Sequence, residues 1–379
     1  MKFHFLFYLC LFSIFQIKAQ SVVTSDKFNL PQTVAETSGL IYYNNKLITH
    51  NDSGNAAELY EINTINGSIN RTVNITNASN IDWEDIAQDN TYIYVGDIGN
   101  NNGSRTDLKF YRILKTDFDT NTNITAEVIN YTYENQTDFT PNPNNNDWDS
   151  EGFVIYDNYI LIFSKNWANN EVDVYAIPNT IGSHSAIKVS NYNAEGLVTG
   201  ADIVGLNKIY LSGYSEADLT PFLIEIYNLN INTPSNLDVF TSSNTVKLDI
   251  SLGTLNQVEA ICFIETNGFI DTLYISNEKI TAGSFTIQEA KIRELTVDNS
   301  ILNTSNFIKN DVIKLYPNPF ENVIQLSDNV ESIKIYNNLG NCVLQQDFTK
   351  TINTSKLTCG FYIISLKYKN SVITKKILK

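Results

Sequence analysis

Several residue types are scarce in this chain. Among 379 residues there are one Met, three His and three Trp, and 26 basic residues face 41 acidic ones. The resulting net charge of −15 excludes nucleic acid as the main partner, because a phosphate-binding protein needs a basic face. Of the four cysteines, the first, Cys10, lies in an apolar N-terminal run, and the odd number left after it does not make a disulfide framework. The remaining three are Cys262, Cys342 and Cys359. Cys262 sits in the apolar stretch VEAICFI and reads as core filler; Cys342 and Cys359 could pair with each other. His50 and His184, the only histidines beyond the N-terminal run, lie in no triad motif. Beyond that run no apolar stretch is long enough to cross a membrane, which excludes a polytopic membrane protein. Helical periodicity is absent too. What remains is β-rich: 42% hydrophobic, 18% charged, with 21 Tyr and 20 Phe.

The N-terminus reads MKFHFLFYLCLFSIFQIKAQ. Lys2 supplies a positive start, Phe3 to Ile17 an apolar run, and Ala19 a small residue before a cut at Gln20. Residues 1–19 are therefore expected to be a signal peptide. A membrane anchor is disfavoured because the run falls short of the ~20 residues a spanning helix needs.

Charge divides the rest. From Asp311 onward nine lysines face five acids, a net of +4, whereas residues 20–310 carry a net of −21. Such a shift marks a boundary, so a linker is expected at 301–311 and a separate domain at 312–379. That domain shows short alternating strands broken by Asn-Asn, Leu-Gly and Cys-Gly turns, the pattern of a small Ig-like β-sandwich. Its motifs are YPNP at Tyr316–Pro319, IYNNLG at Ile335–Gly340, GFYIISL at Gly360–Leu366 and KKILK at Lys375–Lys379. In these it resembles the type A C-terminal sorting domain of the bacterial type IX secretion system. The resemblance implies Sec export, recognition by the type IX machinery, and release or attachment at the outer surface. It also implies that Pro317, Asn318, Pro319, Gly340, Gly360, Tyr362 and Lys376 carry the sorting signal.

Residues 20–300 hold a repeat. Each unit opens on an acidic or polar residue beside a small one, followed by two apolar strands and a third. The openings are ETSGLIYY from Glu36, DWEDIAQD from Asp82, DWDSEGFV from Asp147, NAEGLVTG from Asn193 and QVEAICFI from Gln257. Four units carry a fourth, more polar strand, such as AEVINYTYE or NTVKLDI, and the fifth lacks one. The segment SDKFNLP before the first unit supplies it. Four strands per unit, closed by an N-terminal strand, describe a β-propeller. Five blades are counted, and six are possible if a long loop hides one. The fold class is thus all-β, a β-propeller followed by a sorting domain.

The first strand of each blade should line the central channel. Glu36, Glu84, Glu151, Glu195 and Glu259 are therefore expected to face one mouth, with Ser38 the aligned residue in the first unit and Gly39, Gly152, Gly196 or Ala260 leaving room at the axis. Crowded carboxylates raise one another's pKa. They can stay solvated, take up a hard cation such as Ca²⁺, or split into a protonated acid and an ionised partner. Asp82, Asp97, Asp149 and Glu195 are candidate metal ligands; Glu84 and Glu151 are candidate acid and base. His50-Asn51-Asp52, Asp97 with Asn100, Ser164-Lys165-Asn166, Ser212 with Tyr214, and Asn277-Glu278-Lys279 end second strands and are expected at the same mouth. Trp83 and Trp148 would either stack on sugars or pack between blades.

The propeller resembles secreted bacterial propellers of unassigned role and is more distantly similar to calcium-dependent phytase-like and lactonase-like propellers. Two functional classes follow. One is a secreted or surface binding module with an acidic, Ca²⁺-stabilised channel and an extracellular ligand, a glycan among the candidates. The other is a hydrolase of a glycan, lactone or phosphoester using the channel carboxylates.

Overall fold

The computed structural model describes residues 20–231, 236–283, 285–300, 313–338, 340–368 and 371–379. The expected signal peptide and the expected linker at 301–311 lie outside the described residues. The chain divides into two compact units, 1–301 and 302–379.

The first unit is a propeller. Its inner strands are Thr37–Tyr43, Trp83–Gln88, Ser150–Tyr156, Leu197–Val204 and Val258–Asn267. They touch in that order, and the last touches the first, so the described residues form a closed ring of five blades, I to V. Each inner strand runs antiparallel to its second strand, and tight turns join the pair. In blade I the turn is Asn44-Asn45, both at positive φ (48° and 60°), the conformation a two-residue hairpin requires. Ser150–Tyr156 is buried at every position, because an inner strand is covered on both faces by neighbouring blades. Five apolar cores fill the five interfaces between blades. Cys262 is part of the one between blades V and I.

Closure follows the expected route: Val22–Asn29 pairs antiparallel with Lys291–Asp298 and completes blade V. The third strand of that blade is Lys291–Asp298; Phe285–Gln288, just before it, forms a separate small hairpin with Ile280–Ala282. In blade II a single helical turn, Lys115–Thr120, follows the third strand and buries Phe118. Blades II and III share one eight-stranded sheet, because their outer strands pair in parallel from Ile129↔Gly182 to Tyr133↔Ala186.

The second unit is also all-β. Its strands form one sheet, in which the long strand Val323–Tyr336 pairs with Cys342–Asn353 on one side and with Phe361–Tyr368 on the other. A register break between Gln325 and Val330 bends this strand. The sheet curls around Phe320, Ile324, Ile333, Ile335, Tyr362 and Ile364 into a half-barrel. Cys342 and Cys359 are free and exposed.

Candidate functional site

Every inner strand breaks register near its start. The breaks fall at Thr37/Leu40, Trp83/Asp85, Ser150/Gly152, Val198/Gly200 and Val258/Ala260. A bulge leaves one residue unpaired and re-aims its side chain. The bulged residues are Ser38, Glu84, Glu151, Thr199 and Glu259, a ring of equivalent positions around the axis. A second ring lies one position beyond each bulge's flanking pair on the second strand: Asp52, Ile98, Lys165, Tyr214 and Glu278. Ile98 is buried in the apolar core between blades II and III; the polar members of the two rings mark one end of the ring of inner strands, its mouth.

Blade IV corrects the sequence alignment. Its equivalent residue is Thr199 beside Gly200, not Glu195 beside Gly196. Glu195 is exposed, lies before the inner strand at φ 50°, and its carbonyl is met by Lys247 Nζ at 3.1 Å. Spacing carried the signal that was missed. Ser38, Glu84, Glu151 and Thr199 each precede the hairpin turn, at Asn44, Asn90, Asp157 and Gly205, by the same six residues. Glu36 is also outside the ring. It is exposed, its carboxylate accepts from Asn55 at 2.5 Å, and its carbonyl accepts from the Asp52 N–H at 2.8 Å, which holds it at the rim.

Small residues after the bulge are a steric need. A Cβ on Gly39 would lie 2.6 Å from both His50 Nε2 and the Ile86 nitrogen. Blade II alone has a large residue there, Asp85. Its carboxylate accepts the N–H of Ile86 at 2.8 Å and those of Phe153 and Ala201 at 3.2 Å each. It thereby ties the inner strands of blades II, III and IV together at the axis.

Carboxylates crowd the mouth. Ligand oxygens of Asp52, Asp82 and Glu84 all lie within 4.8 Å of one another, the described residues' only such group. Gly99 makes room for two of them: a Cβ there would lie 2.6 Å from Asp82 Oδ2 and would collide with Glu84 Oε1. Burial first, then Glu151, Asp52 and Asp82, hold Glu84 well above the usual carboxylate range. Burial, Asp52 and Asp149 push Asp82 up to about 7. Burial and then Asp52 push Glu259 up to about 7, against the pull of Lys165. Glu278 is held high by burial, Glu259, Asp52 and Glu36.

One cation stands among these acids. Lys165 Nζ lies 2.5 Å from Glu151 Oε1, both side chains being 5% exposed. It also sits 4.8 Å from the ring centre of Trp167 and 5.4 Å from that of Tyr214. Burial pushes the ammonium down, but Glu151, Tyr214, Glu259 and Asp149 more than reverse this and keep it protonated. Asp149 is buried and committed, accepting the Asn100 N–H at 2.6 Å and Trp167 Nε1 at 2.7 Å. Asp97 Oδ1 is committed as well, to Arg105 at 2.8 Å and to the Asp82 N–H at 3.2 Å, while its buried Oδ2 has no hydrogen-bond partner. Trp83 packs between blades against His50, and Trp148 against Tyr133. The indole at the mouth is Trp167, which sequence reasoning did not single out.

In the second unit, Asn318 links the YPNP turn to the last strand, accepting from the Leu378 N–H at 2.9 Å. Gly360 exchanges both backbone bonds with Lys379 at 3.0 Å. The Tyr362 hydroxyl donates to the Thr358 carbonyl at 2.7 Å, and Lys376 lies 4.3 Å over the Phe361 ring. Gly340 closes the turn begun at Asn337. Pro317 and Pro319 flank Asn318 in that first turn.

Residues 314–379 match the family described as the secretion system C-terminal sorting domain. The chain is thus a type IX-secreted β-propeller protein of the extracellular space or outer surface. A search of curated proteins found no match. Among solved structures the chain is similar to the extracellular domain of BT4673 from B. thetaiotaomicron, at 10% identity and a TM-score of 0.32, covering 91% of this chain and 57% of that one. It is also similar to a subtype N10 neuraminidase-like protein of A/little yellow-shouldered bat, at 10% identity and a TM-score of 0.31, covering 69% and 79%. A third is a Penicillium chrysogenum α-L-arabinanase complexed with arabinobiose, at 9% identity and a TM-score of 0.40, covering 95% and 99%. The likeness is one of fold. The chain spans 57% of the length of the first of these. Among the described residues no helix is long and apolar enough to cross a membrane.

Proposed function

We propose that the propeller is an extracellular binding module that holds a divalent cation, Ca²⁺ foremost, at its mouth and presents it to a ligand. The observation that carries this is the Asp52, Asp82 and Glu84 group. Two oxygens that each sit ~2.4 Å from one calcium ion are at most ~4.8 Å apart, and these three oxygens meet that limit. Their chemistry fits as well: hard oxygen donors suit a hard cation, and a cation would offset both the burial and the repulsion from Asp52 and Asp149 that push Asp82 up to about 7. Backbone oxygens and water would complete the shell. Asp97 and Asp149 serve as supports, through Arg105, Asn100 and Trp167, and Glu195 has no part.

Calorimetric melting in Ca²⁺ and then in EDTA tests this reading. A ligand that binds only the folded state stabilises it by RT ln(1 + [L]/Kd), so saturating Ca²⁺ should raise the melting temperature by several degrees. Asp82→Asn should abolish the rise. An identical Tm in Ca²⁺, Mg²⁺ and EDTA would overturn the reading.

A second reading has its own observation. Glu84 is pushed toward the protonated form, while Glu151 is paired with the Lys165 ammonium. Burial raises Glu151 as well, but Lys165 pulls against that shift while every charge named near Glu84 adds to its own; one carboxyl beside a cation and one beside acids is a difference that general acid–base hydrolysis can use. If the protein turns over a glycan, lactone or phosphoester, Glu84→Gln and Glu151→Gln should each cost 100-fold or more in kcat, roughly the usual share of a general acid or base.

A further inference from the structure

The mouth gathers more acidic side chains than one metal ion and one lysine can meet. Asp52, Asp82, Glu84, Glu151, Glu259 and Glu278 all contribute, and Lys165 is the cation the described residues place among them. Arg105 is spent on Asp97, Asp107 and the Gly99 carbonyl. Lys279 is turned to the Gln32 side chain at 2.8 Å. No free cation is therefore left among the described residues here to meet a phosphate or carboxylate on a ligand.

The blade V side of the mouth holds an acid that no hydrogen bond fully satisfies. Glu259 is 5% exposed, and its Oε1 is buried with no hydrogen-bond partner. As the bulged residue of its strand it occupies the position that Glu84 and Glu151 occupy in theirs. The charges of Lys165 and Asp52 act on it, and the Gln257 side chain hydrogen-bonds its carboxyl, which leaves Oε1 as the unmet oxygen; Glu278 faces it in turn. A buried carboxylate oxygen without a partner costs free energy unless something satisfies it.

The mouth already shows what satisfies such a group. On the blade III side Glu151 is met by the Lys165 ammonium, and the faces of Trp167 and Tyr214 flank that charge. Carboxylate and aromatic faces together stabilise an ammonium out of water. The equivalent place on the blade V side has the carboxylates and no ammonium of its own. We propose that Glu259 and Glu278 form a second subsite that takes a primary ammonium group carried by the ligand. This deepens the binding-module reading and rests on it for the identity of the mouth, but it does not require the metal. A second metal ion fits less well, since Glu259 and Glu278 do not join a three-carboxylate group of chelating dimensions. An anionic ligand, a phosphoester included, is disfavoured by the same charge balance.

The test is isothermal titration of the purified protein with a glucosamine tetramer, its N-acetylated counterpart and spermidine, in Ca²⁺ and in EDTA. Both amine probes should bind, with affinity falling as salt rises, and the N-acetylated tetramer should bind at least tenfold more weakly. Preference between the two amine probes tells whether the ammonium comes on a sugar. Glu259→Gln should weaken amine binding tenfold or more, and Glu278→Gln by a smaller factor. Equal binding of the acetylated and free tetramers, no heat from either amine, or full affinity in a correctly melting Glu259→Gln variant would overturn the proposal. The Ca²⁺ shift of the melting temperature is read on the same samples. Its absence alongside amine binding would end the metal reading and leave this one standing.

Discussion

Glu84 and Asp85 are adjacent in the chain and both are buried, yet their surroundings treat them in opposite ways. Asp85 points to the axis and accepts backbone N–H groups from the strands of three blades. Glu84 points to the mouth, where its Oε2 has a 3.5 Å contact from the Ser38 hydroxyl and its nearest charges are acids. Both carboxyls are held well above their usual range by burial. A raised pKa therefore does not separate the fold's acids from the site's; the partners do. An acid whose lone pairs are met by the backbone is part of the fold. An acid facing other acids waits for something to bind. Asp202 belongs with Asp85, since it accepts the N–H groups of Phe263 at 2.6 Å and Ile203 at 2.8 Å. Glu259, with an unpartnered oxygen, belongs with Glu84.

The largest expected effect breaks the comparison at its structural end. Asp85→Ala leaves three N–H groups at the axis without an acceptor. At about 1–3 kcal/mol for each buried group left unsatisfied, the loss is a large share of an ordinary domain's stability. Urea unfolding should show either a midpoint far below wild type or no folded protein. Asp85→Asn keeps one acceptor oxygen and should fall between. An Asp85→Ala variant as stable as wild type would mean that this carboxylate does not hold the ring.

A smaller effect is the pH dependence of Asp202. Burial pushes its carboxyl from 3.8 to about 7. Below pH ~4 both folded and unfolded forms are protonated, and the residue contributes nothing to pH dependence. As pH climbs from about 4 to about 7, the unfolded form ionises while the folded form keeps its proton. The unfolded state gains, so stability falls across this window and levels off above it. Asp202→Asn should flatten that share of the slope. The comparison to make is the difference in melting temperature between variant and wild type, at pH 4.5 and at pH 7.5. A difference that stays constant between these two values would sink the assignment.

At the mouth the expected sign reverses. Glu84→Gln in EDTA replaces a carboxyl that burial and then Glu151, Asp52 and Asp82 already push toward its neutral form, and strips no backbone group of its partner. Its melting temperature should therefore match wild type or exceed it by a degree or two, while the rise on adding Ca²⁺ is lost. Marked destabilisation in EDTA would move Glu84 to the structural side of the comparison.

Much of this was legible before the fold was seen. Blade strands announce themselves through paired apolar runs and Asn-rich turns, and the closing strand through a fifth unit one strand short. The tail is legible because its motifs sit at fixed places and its charge changes sign. The second-strand ends were also legible: Asp52, Lys165, Tyr214 and Glu278 stand in clusters of polar residues after apolar strands. The bulges were not. A bulge leaves no sequence mark of its own: the motif coincided with the bulged residue in blades I, II, III and V, but in blade IV an earlier acid-Gly pair, Glu195-Gly196, drew the alignment four residues away from Thr199-Gly200. Asp85 was invisible for a related reason. At the position where the other blades carry Gly or Ala, an Asp reads as one more mouth acid until its three N–H partners are seen.

Blade IV provides the smallest and most exacting test. Glu195 matches the motif in sequence but is exposed, whereas Thr199 holds the bulged position and donates its hydroxyl to the Val258 carbonyl at 2.5 Å. Glu195→Gln should leave stability within about 0.5 kcal/mol, as for an ordinary surface change, and should leave the Ca²⁺ shift untouched. Thr199→Glu should do more. It would add a carboxylate to the ring that already holds Glu84, Glu151 and Glu259, lowering the melting temperature in EDTA and widening the gap that Ca²⁺ restores. If instead Glu195→Gln changes the Ca²⁺ response and Thr199→Glu does not, the motif and not the bulge would define the mouth. The ring of equivalent positions would then have to be redrawn around Glu195.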